Sequence, residues 1–415
     1  MRILLVGAGG VGAAFAAIVA RRDFFEALVV ADYDADRAAQ VAAYDARFVA
    51  ATVDASSAEA VTALCREHAV THVLNAVDPV FDMPVFRGAF AAGADYLDMA
   101  MSLSRPHPEA PYEKPGVKLG DEQFAAAEEW ERAGRLALVG IGVEPGLSDV
   151  FARYAADHLF SEIDELGTRD GANLVVTDED GNEIFAPSFS MWTTIEECLN
   201  PPVVWQDGDW HTTAPFSEPE VFDFPEGIGP VECVNVEHEE VLLMPRWVDC
   251  KRATFKYGLG EEFITILKVL HALGLDSTEK VRVKAAAGGH CEVSPRDVVA
   301  AVLPDPAGVG PRMSGKTCAG LWVTGKDMDG RPRSSYLYHV VDNAWSMQEY
   351  GHQCVVWQTA VNPAVALELL ADGTWSGVGV LGPEAFDAVP FLERLGQHGV
   401  PWRIREEDTA VTGSG

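Results

Sequence analysis

The sequence predicts an α/β chain in two parts, an N-terminal doubly wound parallel sheet and a second α+β domain with a largely antiparallel sheet. In the first 144 residues, short apolar runs alternate with small-residue helical segments, which is typical of repeated β-α-β units. Further along, strand-like segments flank Asp-Gly turns, which is typical of antiparallel hairpins.

The first part of the chain contains six apolar runs that we interpret as parallel strands. They cover residues 3–6, 27–31, 47–53, 72–77, 95–100 and 135–142. Ser56 with Glu59 predicts a capping box for a helix that ends near His68. Residues 102–121 contain four prolines and no periodicity, which predicts a long loop, either a lid or an inter-domain connection.

The middle of the chain changes character. Residues 175–185 and 321–341 are each predicted to form a hairpin around an Asp-Gly turn, and the apolar spacing of residues 263–273 predicts an amphipathic helix. We therefore predict a doubly wound domain, an α+β domain and a C-terminal helical segment that packs back on the first domain. Their predicted ranges are 1–144, 145–355 and 356–415.

The balance of charges excludes two classes of partner. The 415 residues include 63 Asp and Glu against 31 Lys and Arg, a formal net charge of −32. Because nucleic acids and anionic membrane surfaces are themselves negative, we expect neither as a partner, whereas a cationic amine is attracted. The N-terminal apolar run turns at once into glycines, and no uninterrupted apolar stretch reaches about 18 residues. We therefore expect a soluble, cytoplasmic protein.

Seven cysteines are scattered singly along the chain, with no C-x-x-C pair. This usage predicts free thiols in a reducing compartment rather than a disulfide framework. The pairs His290-Cys291 and His352-x-Cys354 are not spaced as zinc ligands, so we predict buried structural thiols and no metal site.

The stretch GAGGVG, directly after the first apolar run, is typical of a dinucleotide-binding loop. It follows a predicted strand, opens a predicted helix, and is followed 20 residues later by an acidic residue. Gly7 permits the tight turn, Gly9 lets the backbone approach a pyrophosphate, and Gly12 lets helix and strand pack closely. We therefore predict a Rossmann domain. The cofactor-binding residues of its loop are Gly7, Gly9, Gly10, Val11 and Gly12.

Asp32, at the end of the next apolar run, bears on the choice of cofactor. A carboxylate there accepts hydrogen bonds from a ribose 2′-OH and repels a 2′-phosphate, so NAD is favoured, while Arg37 a few residues on leaves NADP open. Asp54 ends the third predicted strand, where it either lies near the adenine or caps a helix. Three residues that close the fourth strand are also assigned to the cofactor cleft, and they are Asn75, Ala76 and Val77.

Four segments resemble the saccharopine dehydrogenase-like family. They are GAGGVG, the segment NAVDPVFDMPVFRGAFAAGADYLDMA (75–100), the segment VGIGVEPGLSDVFARYAADH (139–158), and HEEVLLMPR with the following FKYGLGEEF (238–263). The resemblance covers most of the chain and is strongest before residue 160. It implies a Rossmann domain, a second domain with the substrate and dimer contacts, and nicotinamide chemistry at a carbon–nitrogen bond. The expected homodimer rests on this resemblance alone.

Two acids stand out within the resembling segments. Asp98, near the end of the fifth predicted strand, matches an aspartate of the family's substrate cleft, where it either binds an amine or shuttles a proton, or else it caps a local turn. Glu144 stands in Glu-Pro-Gly where the family usually has Asp-Pro-Gly. It has either a catalytic role or only a part in starting the helix predicted from Leu147.

Three basic side chains are the other catalytic candidates. Arg246 matches the arginine of the family's Leu-Pro-Arg, and its guanidinium is suited to a substrate carboxylate. Lys256 shares a predicted strand face with Arg252, where it either assists Arg246 or pairs with surface carboxylates. His238 is either a general acid, as a neutral imidazole near pH 7, or part of a solvated, charged strand end.

Together these residues predict an NAD(P)-dependent oxidoreductase that transfers hydride to or from the carbon of a C–N bond. The expected substrate is a small amine, derived from an amino acid or a polyamine. Two alternatives remain. One is an aldehyde-type dehydrogenase with a thiol nucleophile, which the absence of cysteine from residues 140–160 disfavours. The other is a non-catalytic dinucleotide sensor.

Overall fold

The N-terminal part of the protein is a seven-stranded parallel sheet in the computed structural model, which describes residues 1–285 and 288–407. Its strands are β1 (Arg2–Val6), β2 (Ala27–Asp32), β3 (Phe48–Thr52), β4 (His72–Asn75), β5 (Asp95–Asp98), β6 (Leu136–Leu138) and β19 (Gly379–Leu381). The strand order is β3-β2-β1-β4-β5-β6-β19. The six strands predicted from apolar runs are confirmed, and their carboxyl ends meet at one edge of the sheet.

Helices cover both faces of this sheet. They are α1 (Gly10–Val19), α2 (Ala35–Ala42), α3 (Ala58–Glu67), α4 (Asp82–Ala92), α5 (Asp121–Phe124) and α6 (Ala127–Arg132). The predicted capping box is wrong by one residue, because Ser57 rather than Ser56 accepts the backbone N–H of Ala60 and starts α3. The hydroxyl and backbone N–H of Ser56 instead bond to Asp54.

The second part contains a nine-stranded sheet that is mostly antiparallel, as predicted. Its strands are β7 (Phe160–Ala172), β9 (Val203–Gln206), β10 (Asp209–Thr212), β11 (Glu220–Phe224), β12 (Gly229–Asn235), β13 (Arg252–Gly258), β17 (Lys316–Asp327), β18 (Pro332–Asp342) and β20 (Arg403–Glu406). Only β7 and β13 pair in parallel among the described strands of this sheet. The predicted hairpin at 321–341 is confirmed as β17 and β18.

Two small sheets and further helices complete this part. The small sheets pair β8 (Val175–Val176) with β16 (Met313–Ser314), and β14 (Val281–Lys284) with β15 (His290–Val293). The helices are α7 (Leu147–His158), α8 (Met191–Leu199), α9 (Glu240–Trp247), α10 (Gly260–Ala272), α11 (Pro295–Val302) and α12 (Asn343–Tyr350). The helix predicted at 263–273 is confirmed as α10.

The hairpin predicted at 175–185 is present in short form, with backbone hydrogen bonds from Asp178 N–H to the Asn182 carbonyl and from Ile184 N–H to the Val176 carbonyl. The turn exists, since Asp178 accepts the backbone N–H groups of Asp180 and Asn182. The flanking segments, however, share only one bridge, between Thr177 and Glu183. Val176 of β8 also pairs with Met313 of β16, so it has a local and a tertiary partner.

The C-terminal segment joins both sheets. It contains α13 (Cys354–Ala371) and α14 (Ala388–Gly396), and α13 packs on α1. In addition, β19 pairs with β6 in the N-terminal sheet and β20 pairs with β18 in the second sheet. The part of the predicted 356–415 segment beyond residue 407 lies outside the described residues.

Helix α13 is the one described helix that is long and apolar enough to cross a membrane by length and composition. In the fold, 83% of it is buried, and side chains such as Trp357 and Leu367 are fully enclosed in the core. Its apolar character is therefore accounted for by its place between the two sheets.

Residues 102–121 form a loop, as predicted, with a single bridge between Arg105 and Val117. The loop is tied to the second part of the chain, because the Ser104 hydroxyl donates to Glu237 at 2.8 Å. Just before it, the backbone N–H of Met101 donates to Glu239 at 3.1 Å. These contacts hold the end of β5 against the segment that carries His238.

Candidate active site

A cavity of about 760 Å³ lies between the carboxyl ends of the N-terminal strands and the second part of the chain. One end of its wall is built by the glycine loop and by residues that follow β1 to β4. The other end includes residues of β7, α8 and β13. Open α/β sheets bind ligands at this edge, so the position agrees with a cofactor and substrate cleft.

The nucleotide end of the cavity fits a dinucleotide. Gly7 has a φ of +103°, and a Cβ on Gly12 would lie 2.0 Å from the carbonyl oxygen of Gly7. Around Gly9, by contrast, no atom lies within 4 Å of an added Cβ, so the backbone there faces open space. The first turn of α1 carries no acidic residue and no side-chain cap, which leaves its N–H groups free for phosphate oxygens.

Asp32 and Asp54 both line this end of the cavity. The buried Asp32 carboxylate accepts the backbone N–H of Ala8 at 2.8 Å and that of Asp34 at 2.9 Å, so it also braces the glycine loop. Asp54 is exposed, and its bonds from Ser56 lower the pKa of its carboxyl group. Asp54 therefore lines the cavity, and the alternative that it caps a helix is wrong because Ser57 caps α3.

The remaining predicted cofactor residues also border the cavity, except Gly12, which acts through packing. Asn75, Ala76 and Val77 follow β4 in its wall. The Asn75 amide donates to Asp82 at 2.6 Å and to the Tyr96 hydroxyl at 3.2 Å. These bonds fix the side chain of Asn75, which forms part of the cavity wall.

The substrate end of the cavity is acidic. Its wall contains the carboxyl groups of Glu144, Asp170, Glu197 and Glu239. Among the described residues, Arg37 is the only arginine or lysine in the cavity wall, and it lies with Asp32 at the nucleotide end. A cation that enters this end therefore meets carboxyl groups and the His238 ring, without a lysine or arginine side chain from the described residues.

The pKa values of these acids reflect a crowded, poorly solvated wall. Burial raises the pKa of Asp170 to about 7, against the opposing charge of His238. Burial, together with the neighbouring glutamates, raises the pKa of Glu197 to about 8. Burial also raises the pKa of Glu239. Carboxyl groups held in this way gain most from a bound cation, which restores the charged form.

His238 is buried in the cavity wall, with its ring stacked on Phe255 at a centroid distance of 3.8 Å. Its Nδ1 lies 2.6 Å from Glu240 and 3.2 Å from Glu239. Burial alone lowers the pKa of His238, but the charges of Glu240, Glu197 and Glu239 outweigh it and raise the pKa to about 10. The prediction of a solvated strand end is therefore wrong, because the ring is buried, and the raised pKa opposes the predicted neutral imidazole.

Glu144 lies in the cavity wall, as its catalytic interpretation requires, and the Ser148 hydroxyl donates to it. Helix initiation falls instead to Asp149, whose carboxylate accepts the backbone N–H of Gly146 at 2.7 Å. Asp98, in contrast, lies beneath the cavity. It accepts Gly140 N–H at 2.6 Å and the Gln123 amide at 2.7 Å, and so ties β5 to the chain after β6.

The structure places Arg246 and Lys256 away from the cavity. The Arg246 guanidinium lies 3.9 Å from the centroid of the Phe124 ring and donates through Nε to the carbonyl of Leu242. Lys256 donates to Glu220 at 2.8 Å. Side chains alternate along a strand, so Lys256 faces away from Phe255, whose face of β13 carries the stacked His238. The prediction that these two residues bind the carboxylate of a substrate in the cavity is therefore wrong.

The cysteines do not contribute to this cavity. All seven are free, six are buried, and none lines the cavity wall within the described residues. Burial raises the pKa of Cys65, Cys250 and Cys354 to about 12, which suits inert structural thiols. A thiol-based aldehyde dehydrogenase therefore has no nucleophile here.

His238, Glu239 and Glu240 are close enough for a metal, since one ligand atom of each lies within 4.8 Å of the others. The candidate ligand atom Nδ1 of His238 is already engaged within the group, since it lies 2.6 Å from Oε2 of Glu240. We therefore describe the group as an ion-pair cluster.

Asp170, Glu197, Glu239 and Glu240 are site residues that sequence reasoning missed. Asp170 lies in β7 and Glu197 in α8, far apart in the chain and without a motif around them. Among 63 acidic residues, nothing local distinguishes these from the solvated ones. Glu239 and Glu240 follow the predicted His238 directly, so the run Glu-His-Glu-Glu was the only signal available.

Comparison with known proteins agrees with this geometry. The model of the saccharopine dehydrogenase NADP binding domain matches residues 3–138, and that of the saccharopine dehydrogenase C-terminal domain matches residues 142–400. The chain belongs to the saccharopine dehydrogenase family. It is an NAD(P)-dependent oxidoreductase acting on CH–NH groups, which confirms the predicted enzyme class and cofactor.

Two curated relatives span nearly the whole chain. Carboxynorspermidine synthase of Vibrio alginolyticus is 29% identical over 98% of this chain and 97% of that protein. Carboxyaminopropylagmatine dehydrogenase of Synechocystis is 30% identical over 97% of this chain and 96% of that protein. Among solved structures, saccharopine dehydrogenase (L-Glu forming) from Saccharomyces cerevisiae has a TM-score of 0.68 at 14% identity. That match covers 98% of this chain and all of the yeast chain, which shows the shared fold.

Proposed function

We propose that this enzyme joins a diamine or polyamine to a carbonyl compound and reduces the resulting imine to a secondary amine. The observation that carries the proposal is the acidic substrate end, where Asp170, Glu197 and Glu239 face the cavity without a neighbouring lysine or arginine. A second ammonium group on the amine fits this wall, whereas the carboxylate of an amino acid is repelled by it. Both curated relatives are named after polyamine derivatives, carboxynorspermidine and carboxyaminopropylagmatine.

In the proposed reaction, one end of the cavity binds the cofactor and the other end binds the amine. The bound dinucleotide supplies the hydride that reduces the C=N bond. The glycine loop and α1 hold its phosphates, and Asp32 is positioned to contact its ribose, which favours NAD. The carboxylates of the substrate end hold the distal ammonium, so that the other nitrogen is free to react with the carbonyl carbon.

The test compares two amines that differ only in the second amino group. Putrescine and butylamine are each combined with succinic semialdehyde and NADH or NADPH, and oxidation of the cofactor is followed. A charge-assisted contact contributes about 1.5–3 kcal/mol, so we expect kcat/KM to be roughly 10- to 100-fold higher for putrescine.

Two variants test whether the preference for putrescine over butylamine arises at the substrate end of the cavity. Glu197→Gln and Asp170→Asn are expected to reduce the ratio of putrescine to butylamine without changing KM for the cofactor. Glu393→Gln, an exposed carboxylate on α14, serves as the matched control and leaves the ratio unchanged. Equal kcat/KM for the two amines refutes the diamine proposal. Tight cofactor binding without turnover of any amine and carbonyl pair favours the dinucleotide sensor.

We also propose that the enzyme acts as a cytoplasmic homodimer, without nucleic acid or membrane partners. The net charge of −32 supports the exclusion of anionic partners. Exposed apolar side chains on α10 and α11, Val269 and Val302 among them, offer surface for contact with a second copy. Light scattering coupled to size exclusion distinguishes a dimer from a monomer.

A further inference from the structure

Three polar side chains in the wall of the substrate end have no hydrogen-bond partner among residues 1–285 and 288–407. They are the carboxyl groups of Asp170 and Glu197 and the hydroxyl group of Tyr257. All three residues are only partly buried, and none of their side-chain oxygens is sealed inside the core. These oxygens therefore face the open space of the cavity.

Asp170 and Tyr257 are neighbours on two adjacent strands. Asp170 of β7 pairs in register with Tyr257 of β13, so their Cα atoms lie about 4.8 Å apart and their side chains project from the same face of the sheet. Phe255 shares this face and carries the stacked ring of His238. The ring of Tyr257 packs edge-on against Phe255 at a centroid distance of 6.2 Å, which restrains the ring and the direction of its hydroxyl group.

Glu197 comes to the same place from helix α8. Tyr257 pairs with Val234 of β12, and three residues after Val234 the backbone N–H of Glu237 donates to the carbonyl of Glu197 at 2.9 Å. The helix therefore lies beside the strands that carry Asp170 and Tyr257. Burial, together with the charges of Asp170 and Glu197, raises the pKa of Tyr257, which agrees with this placement and keeps the hydroxyl protonated at neutral pH.

We propose that Asp170, Glu197 and Tyr257 bind a primary ammonium group, and we call these three residues the acceptor site. The inference rests on the proposed function and specifies the distal group of its amine. A primary ammonium carries three N–H donors and no acceptor, so it satisfies one oxygen of each residue at once. Polar groups withdrawn from bulk water are normally hydrogen-bonded, and a bound ammonium supplies the partners that the protein does not.

Other cations fit the acceptor site less well. A trimethylammonium group has the same charge but no N–H, so it is attracted by the two carboxylates and leaves the hydroxyl of Tyr257 without a partner. A guanidinium group presents its donors in one plane, whereas these acceptors come from two adjacent strands and a separate helix. Tyr257 is therefore a specificity-determining residue, which selects among cations by their N–H donors rather than by their charge.

The first test compares three amines that share a reacting aminobutyl group. Putrescine, (4-aminobutyl)trimethylammonium and agmatine are each combined with succinic semialdehyde and the reduced cofactor, and kcat/KM is measured. We expect the value for putrescine to be at least about tenfold higher than for either of the others, as the loss of a hydrogen bond to a charged group requires. An equal or higher value for either of the other amines overturns the acceptor site.

The second test uses Tyr257→Phe, which keeps the ring and removes the acceptor oxygen. We expect kcat/KM for putrescine to fall about tenfold, whereas the value for (4-aminobutyl)trimethylammonium and KM for the cofactor stay unchanged. Asp170→Asn removes a charge instead, so it is expected to lower kcat/KM for both amines. Equal losses for the two amines in Tyr257→Phe show a structural role for Tyr257 and overturn the proposal.

A matched control accompanies these variants. Tyr44→Phe removes the hydroxyl of an exposed tyrosine that follows α2 and does not border the cavity. It is expected to change kcat/KM for none of the three amines. Thermal melts of each variant show that the fold is retained.

Calorimetry separates failure of the acceptor site from failure of the proposed function. The amines are titrated into the enzyme with NADH and without aldehyde, so that binding is measured without turnover. If the wild type couples no amine to an aldehyde, the proposed function fails. The acceptor site still requires tighter binding of putrescine than of (4-aminobutyl)trimethylammonium, and loss of that difference in Tyr257→Phe. Equal binding of the two amines by the wild type, or binding of neither, overturns the acceptor site.

Discussion

The two ends of the cavity are built by opposite means. At the nucleotide end, function depends on the absence of side chains at Gly7, Gly9 and Gly12, which lets backbone N–H groups reach a ligand. At the substrate end, function depends on buried charge, supplied by carboxyl groups from separate elements around His238. The first end is set by local backbone geometry and the second by long-range electrostatics. The following predictions test this contrast.

The largest effect is expected from the glycine loop. A Cβ at Gly12 would lie 2.0 Å from the Gly7 carbonyl oxygen, so Gly12→Ala displaces the loop from α1. We expect NADH affinity to fall at least about 100-fold and the melting temperature to fall with it. In Gly9→Ala, where the added Cβ meets open space, the melting temperature stays unchanged and only cofactor affinity falls. Fluorescence titration measures NADH affinity and thermal melts measure stability for both variants. Equal melting temperatures for Gly12→Ala and Gly9→Ala contradict the prediction.

The second prediction concerns the choice of cofactor. Asp32 braces the loop through Ala8 and lies at the ribose end of the cleft, so Asp32→Ala is expected to weaken NADH binding about tenfold, as the loss of a charge-assisted hydrogen bond does. Arg37→Ala is expected to weaken NADPH binding only. The kcat/KM ratio for NADH and NADPH is measured for each variant, and a wild-type preference for NADPH contradicts the interpretation of Asp32.

The third prediction tests the substrate end through stability. The pKa of Glu197 is about 8 in the fold, well above the value of about 4.5 for an unfolded chain. Between these pH values the folded state binds more protons than the unfolded state, so the free energy of unfolding falls as pH rises. In Glu197→Gln this fall in the free energy of unfolding is absent, because glutamine does not titrate. Relative to the wild type, the free energy of unfolding of the variant should therefore rise by at least about 1 kcal/mol from pH 5 to pH 8. Chemical denaturation without ligands checks this. A difference in the free energy of unfolding between variant and wild type that stays constant with pH contradicts the prediction.

The smallest effect is expected at Arg246, which lies outside both ends. Its guanidinium packs on Phe124, and the ring of Trp210 lies 5.7 Å away. Arg246→Ala should therefore lower the free energy of unfolding by about 1 kcal/mol while KM for amine, aldehyde and cofactor stays the same. A selective rise in KM for a carboxylate-bearing substrate restores the catalytic role that the sequence predicted.

The contrast also explains what the sequence could and could not predict. The parallel strands, the loop and Asp32 were predictable because each is a local pattern. Arg246 and Lys256 were assigned by chemistry and resemblance, but strand alternation and aromatic packing direct them elsewhere. His238 was found through its acidic neighbours in the chain. The rise in its pKa was not predictable, because it depends on how Glu240 and Glu239 fold onto the buried ring and on Glu197, which comes from a distant segment.

The strand β19 has a consequence for biosynthesis. The sheet that begins at Arg2 receives its seventh strand only from Gly379–Leu381, and β20 then joins the other sheet. While the ribosome is still translating the middle of the chain, β6 has an open edge, with unpaired N–H and C=O groups available to other chains. The N-terminal sheet is therefore completed at this edge only after Gly379–Leu381 has been synthesised.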